Sequence, residues 1–94
     1  MPKWSYWYAR EVIKGRFPKG ESSIATDPEY SYYYACDIIK GRFPESEAII
    51  ATNPYHAFLY ARDVIKGRWL DGELRIIFSD YATDYVKLCD MTFV

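Results

Sequence analysis

Tyr34-Ala35-Cys36-Asp37-Ile38-Ile39-Lys40-Gly41-Arg42-Phe43-Pro44 is the stretch on which the reading of this chain turns, because it occurs three times. The copy before it is Tyr8-Ala9-Arg10-Glu11-Val12-Ile13-Lys14-Gly15-Arg16-Phe17-Pro18. The copy after it is Tyr60-Ala61-Arg62-Asp63-Val64-Ile65-Lys66-Gly67-Arg68-Trp69-Leu70. The step between copies is 26 residues both times. A fixed period of this size marks a stack of supersecondary units, each burying its apolar face against the next. The expected fold is all-α: a short α-solenoid of three 26-residue helix pairs and a C-terminal capping helix. It forms a single domain, with units at about 2–27, 28–53 and 54–79 and the cap at 80–94.

The flanking residues carry the same period. Pro2, Pro28 and Pro54 are equally spaced, and Asp27 and Asn53 stand before the last two. Asp or Asn can accept from the free N–H groups of a first helical turn, and proline suits the first helical position, where an N–H would have no partner. Ser79-Asp80 offers the same start to the cap, whereas the first helix has only Met1 ahead of Pro2. Each unit therefore opens with a helix of about 13 residues, some 20 Å long, ending at Lys14, Lys40 or Lys66. The following Gly15, Gly41 and Gly67 are expected to take the left-handed conformation that ends a helix. A second, shorter helix starts at Pro18, Pro44 or Leu70. Gly20 and Gly72 weaken two of these, and Leu74-Arg75-Ile76-Ile77-Phe78 could also form a strand, although the period favours helix.

At 100° per residue, Ser5, Tyr8, Ala9, Val12 and Ile13 and their counterparts share one stripe, assigned to contact between long and short helices. Trp4, Tyr30 and His56 on one flank, and Tyr6, Tyr32 and Phe58 on the other, are assigned to packing between units. The remaining face should meet solvent, with Trp7, Tyr33 and Leu59 as an aligned apolar row. Arg10, Glu11, Cys36, Asp37, Lys40, Arg62, Asp63 and Lys66 fringe it. Such a row suits partner contact or self-association; two of its members could equally lie flat on their own helices.

The repeated Lys-Gly-Arg admits two readings. Lys14, Arg16, Lys40, Arg42, Lys66 and Arg68 could form a stripe that holds phosphates of a nucleotide or RNA. Alternatively, lysine complements the helix dipole, glycine turns the chain, and arginine reaches Glu21, Glu47 or Glu73, which recur at one phase. The second reading is preferred. His56, the single histidine, sits where other units carry Trp4 and Tyr30, which makes it a packing residue. No nucleophile–base pair, metal-ligand cluster or glycine-rich phosphate loop is legible, so neither catalysis nor a cofactor is expected.

Composition agrees. Half of the 94 residues are hydrophobic and 19% are aromatic, which favours a packed domain with binding surface over disorder. Twelve basic and thirteen acidic residues leave a formal charge of -1, unlike a strongly basic nucleic-acid binder. The two distant cysteines, Cys36 and Cys89, fit a reduced, cytoplasmic protein, and no apolar run approaches membrane-spanning length.

Residues 60–69, and 34–50 with Phe43 in place of tryptophan, carry Tyr-Ala-x-Asp-[Val/Ile]-Ile-Lys-Gly-Arg-aromatic; in 34–50 it continues as Pro-Glu-x-Glu-x-x-Ile. This resembles a short tandem helical repeat found in proteins of bacteriophages and bacteria. The likeness covers Pro2 to about Phe78, and Leu70-Asp71-Gly72 departs from it. It implies a helical scaffold of phage origin. Small phage proteins without catalytic residues act by binding, which makes a host bacterial protein of defence or metabolism the implied target. The expected function is thus a non-enzymatic protein-binding module and inhibitor, with nucleotide or RNA binding as the alternative.

Overall fold

In the computed structural model the chain is described over residues 1–93, with side chains over 1–89; residue 94 of the expected cap lies outside the described residues. The long helix of each unit has two parts. α1 (Pro2–Tyr8), α3 (Pro28–Tyr34) and α5 (Pro54–Tyr60) run without a break into the π-helical segments π1 (Ala9–Ile13), π2 (Ala35–Ile39) and π3 (Ala61–Ile65). The short helices are α2 (Pro18–Ile24), α4 (Pro44–Ile50) and α6 (Leu70–Ile77), and α7 (Ala82–Phe93) closes the chain. Among the described residues the fold is all-helical. Successive long helices pack side by side, each short helix packs on its own long helix, and the stack measures 40 × 23 × 17 Å. This is the expected short solenoid, with 70–77 helical rather than a strand.

The helix starts follow the anticipated chemistry. Asp27 Oδ2 accepts from Tyr30 N–H at 2.8 Å, and Asn53 Oδ1 accepts from His56 N–H at 3.1 Å. α1 has no side-chain cap. The last helix begins later than Ser79-Asp80 suggested, after a turn in which Ser79 Oγ accepts from Tyr81 N–H.

The helix ends differ from expectation. Lys14, Lys40 and Lys66 take the left-handed conformation, at φ of 59°, 60° and 62°, while no glycine has positive φ. In the first unit Ala9 C=O accepts from both Lys14 N–H (2.7 Å) and Gly15 N–H (3.2 Å), and Ala61 does the same for Lys66 and Gly67. The final turn is therefore wider than an α-turn, and the reversal falls one residue earlier than a glycine stop would place it. The β-branched pairs in that turn, such as Val64-Ile65, are stiff at χ1 and slightly disfavoured in regular α-helix.

The core is layered by the repeat. Ala9, Ala35 and Ala61 on the long helices and Ile24, Ile50 and Ile76 on the short ones are completely buried. The alanines allow the close helix approach that their small size suggested. Gly20 and Gly72 have a packing role rather than a merely weakening one. A Cβ on Gly20 would fall 2.5 Å from the Phe17 ring, and one on Gly72 would fall 2.5 Å from the Trp69 ring.

Candidate functional site: the outer edge of the long helices

What can act on a partner is what remains after the stack has taken its share, and the stack takes more than the sequence indicated. Arg16 grips Glu21 through two hydrogen bonds of 2.9 Å. Tyr34 from the next unit donates to the same carboxylate at 2.7 Å and accepts from Phe17 N–H at 2.8 Å. Arg42, Glu47, Tyr60 and Phe43 N–H repeat this at 2.7–2.8 Å. Arg68, Glu73, Tyr85 and Trp69 N–H repeat it again. Each clasp is a bidentate, charge-assisted pair closed by a phenol from the following helix. The guanidinium holds the Glu21, Glu47 and Glu73 carboxyls below their usual range. Burial, with Glu21 beside it, pushes the Tyr34 phenol up to about 12. Tyr34 and Tyr60 thus join each long helix to the short helix of the unit before it, within the stripe assigned to contact between long and short helices.

A second link engages two residues of the expected rim. Tyr6 donates to Asp37 Oδ2 at 2.6 Å, and Tyr32 donates to Asp63. Both aspartates, read as partner-facing, serve the unit junctions, and Asp63 is held further by Arg62 at 2.8 Å. Phe58 occupies the third register position without a phenol and stacks on Tyr81, with ring centroids 5.9 Å apart. Leu59 and Cys36 are less open than the solvent-facing assignment implied. Both are half-buried against the core, and burial raises the Cys36 thiol.

The apolar row is consequently re-formed. Trp7 and Tyr33 remain 37% and 36% exposed, and Tyr55 at 45% replaces Leu59 as the exposed member in the third unit. They are the outer edges of a belt of touching rings. Trp7 meets Tyr6, which meets Tyr30 and Tyr33; Tyr33 meets Tyr32, Tyr32 meets His56, and His56 meets Tyr55. The Arg10 guanidinium lies 5.1 Å from the Trp7 ring. His56 is buried in this belt, and its pKa is lowered by that burial. Among the described residues of the aromatic flanks, Trp4 is 64% exposed, whereas its counterparts Tyr30 and His56 lie against rings of the unit before them.

The six cations of the anion-binding reading separate by residue type. All three arginines are engaged in clasps. The ammonium groups of Lys14, Lys40 and Lys66 are exposed and make no hydrogen bond or ion pair among the described residues. Two clefts open between successive helix ends. One, of about 440 Å³, is lined by Arg10, Lys14, Cys36, Asp37 and Lys40 among others. The next, of about 540 Å³, is lined by Tyr32, Cys36, Lys40, Asp63 and Lys66 among others. Lys40 lines both. Nothing in the sequence pattern marked these clefts, because they arise from the widened final turns and the left-handed lysines.

Among the described residues no group of three His, Cys, Asp or Glu side chains could hold a metal ion, and no helix is long and apolar enough to cross a membrane. Comparison with family models, curated proteins and solved structures finds no match. The class is therefore defined by architecture: an all-α tandem-repeat solenoid whose outer edge carries exposed aromatic rings beside lysine-lined clefts.

Proposed function

We propose that this protein is a non-enzymatic protein-binding module that engages a partner along the outer edge of its long helices. Trp7, Tyr33 and Tyr55 supply apolar anchors, and Arg10, Lys14, Lys40 and Lys66 supply the polar rim. The observation that carries this reading is the division within Lys-Gly-Arg: each arginine is locked in the stack, while each lysine makes no ion pair among the described residues and lies beside a cleft. Holding a lysine left-handed costs on the order of 1 kcal/mol relative to glycine, yet a glycine is the very next residue in all three units. A charge retained at that cost suits a partner that presents carboxylates. The resemblance of the repeat points to a host bacterial protein, which binding would block.

Nucleotide or RNA binding is the less favoured reading. The three arginines of the repeated Lys-Gly-Arg are engaged in clasps, Asp37 and Asp63 intervene in the clefts, and the formal charge is -1.

Capture from bacterial lysate tests the proposal, using the natural chain, a Trp7→Ala/Tyr33→Ala variant and a Lys14→Glu/Lys40→Glu/Lys66→Glu variant. A protein retained by the natural chain and lost from both variants, with helicity unchanged, is the expected result. Equal retention by all three would sink the reading. Binding of single-stranded RNA by the natural chain that weakens steeply with salt would move the function to nucleic acid.

A further inference from the structure

The short helices turn one phase outward in every unit. Pro18, Ser22, Ala25 and Thr26 occupy it in unit 1, and Pro44, Ala48, Ala51 and Thr52 in unit 2. All are exposed or half-buried, and none is a large aliphatic or aromatic residue. The same phase of α6 carries Leu70, Leu74, Ile77 and Phe78, which are 67%, 69%, 39% and 85% exposed. The exposure follows from the architecture of all three units; the apolar bulk belongs to the third alone. Spacing of i, i+4, i+7 and i+8 sets the four side chains on one continuous stripe. A single exposed leucine is ordinary, but a contiguous apolar stripe on a folded surface marks an interaction site.

The charges beside the stripe identify its occupant. Asp71 and Arg75 line the edge next to Leu74 and Phe78, and their side chains make no hydrogen bond or ion pair among the described residues. Arg75, Leu74 and Phe78 open with Pro54 onto a cleft of about 390 Å³. On the other edge Glu73 is already held by Arg68 and Tyr85. When two copies of a helix meet antiparallel about a two-fold axis, each edge faces its own equivalent. With the axis at Leu74, the midpoint of the stripe, Leu70 lies opposite Phe78 of the second copy. Asp71 then comes within two residues, about 3 Å of axial rise, of Arg75 of the second copy, and the two-fold repeats that pair. A parallel pairing would instead set Asp71 and Arg75 against the edge that Glu73 occupies. Two copies joined antiparallel cover on the order of 1,000 Å², the size at which a specific interface begins. We infer that the outer stripe of α6 docks the same stripe of a second copy of this chain, giving an antiparallel two-fold dimer centred on Leu74. The inference stands apart from the outer-edge reading above and does not depend on it.

Sedimentation of the natural chain over a range of concentrations tests it. The mass should rise from one chain to two and no further, because a two-fold interface closes on itself. Leu74→Glu, at a largely exposed residue, should leave helicity unchanged and weaken association about a hundredfold. Asp71→Arg and Arg75→Asp should each weaken it about tenfold by setting like charges across the axis. An equimolar mixture of those two variants should recover association, since each then meets its opposite. Trp7→Ala/Tyr33→Ala should leave the dimer intact. A natural chain that stays monomeric to millimolar concentration, or a Leu74→Glu variant that associates as well as the natural chain, would overturn the inference. So would a mixture of the charge variants that fails to associate, or a dimer lost in Trp7→Ala/Tyr33→Ala, which would assign the contact to the aromatic edge.

Discussion

At the trailing end of the stack Tyr85 sits 2% exposed, with its phenol against Trp69 N–H and Glu73; at the leading end Tyr8, its counterpart, is 46% exposed. The residue type is the same, although Tyr85 stands one position ahead of the strict register, which falls on Val86. What differs is whether a neighbouring unit presents a clasp. In a solenoid the worth of a side chain is set by the next unit along, since each unit contacts only its neighbours. Stability should accordingly be unequal among positions that the repeat makes identical.

The largest effect that could break this comparison is removal of the ring. Tyr60→Ala should cost about 3–5 kcal/mol, because Tyr60 is completely buried and bridges two units. Tyr8→Ala should cost under about 1 kcal/mol, in line with exposed substitutions. Urea unfolding of both variants decides it, and equal losses would mean that Tyr8 is buried in solution.

Next comes the clasp itself. Glu47 is buried and accepts from Arg42 and Tyr60, so Glu47→Ala should cost about 2 kcal/mol, the scale of a lost charge-assisted hydrogen bond. Glu11→Ala, at the open end, should be near neutral.

Acid should act through the same carboxylates. Glu21, Glu47 and Glu73 are held below their ordinary range in the fold. Their contribution is therefore full above the unfolded value, about 4.3, and is lost as pH falls through the depressed folded values. His56 adds a smaller term of the same sign. Burial lowers its pKa, so the stability of its neutral form is complete above about pH 6.5 and declines below it. Melting temperatures from pH 7.5 to 3 should show a shallow decline first and a steeper one below pH 4.5, with Glu47→Gln flattening the second.

The smallest effect is expected at the lysines. Lys40→Gly relieves a left-handed residue and should leave stability unchanged or raise it by about 0.5–1 kcal/mol, while weakening capture of a partner. A clear loss of stability would show that Lys40 serves the fold rather than the clefts.

Much of this architecture was legible in one dimension. Three copies of Lys-Gly-Arg, the spaced prolines and the Asp27 and Asn53 caps specified the unit, its helix starts and the Arg–Glu partners, because these are short-range relations within a single copy. The relations between copies were hidden. Periodicity shows that Tyr8, Tyr34 and Tyr60 are equivalent but not toward which neighbour they point. Asp37 and Asp63 therefore read as solvent-facing when each receives a phenol from 31 residues earlier.

By itself, then, the sequence determined an all-α stack of three 26-residue units, since local propensity, capping chemistry and apolar phase agree in every copy. Only the tertiary structure decided that the last turn of each long helix widens, and that lysine rather than glycine turns left-handed. It also decided which of the register-equivalent tyrosines meet a neighbouring clasp. The physical reason is direction. The period of a repeat does not say on which side a neighbour lies, but the clasp joins the end of one unit to the start of the next, so the two sides of a unit are not alike.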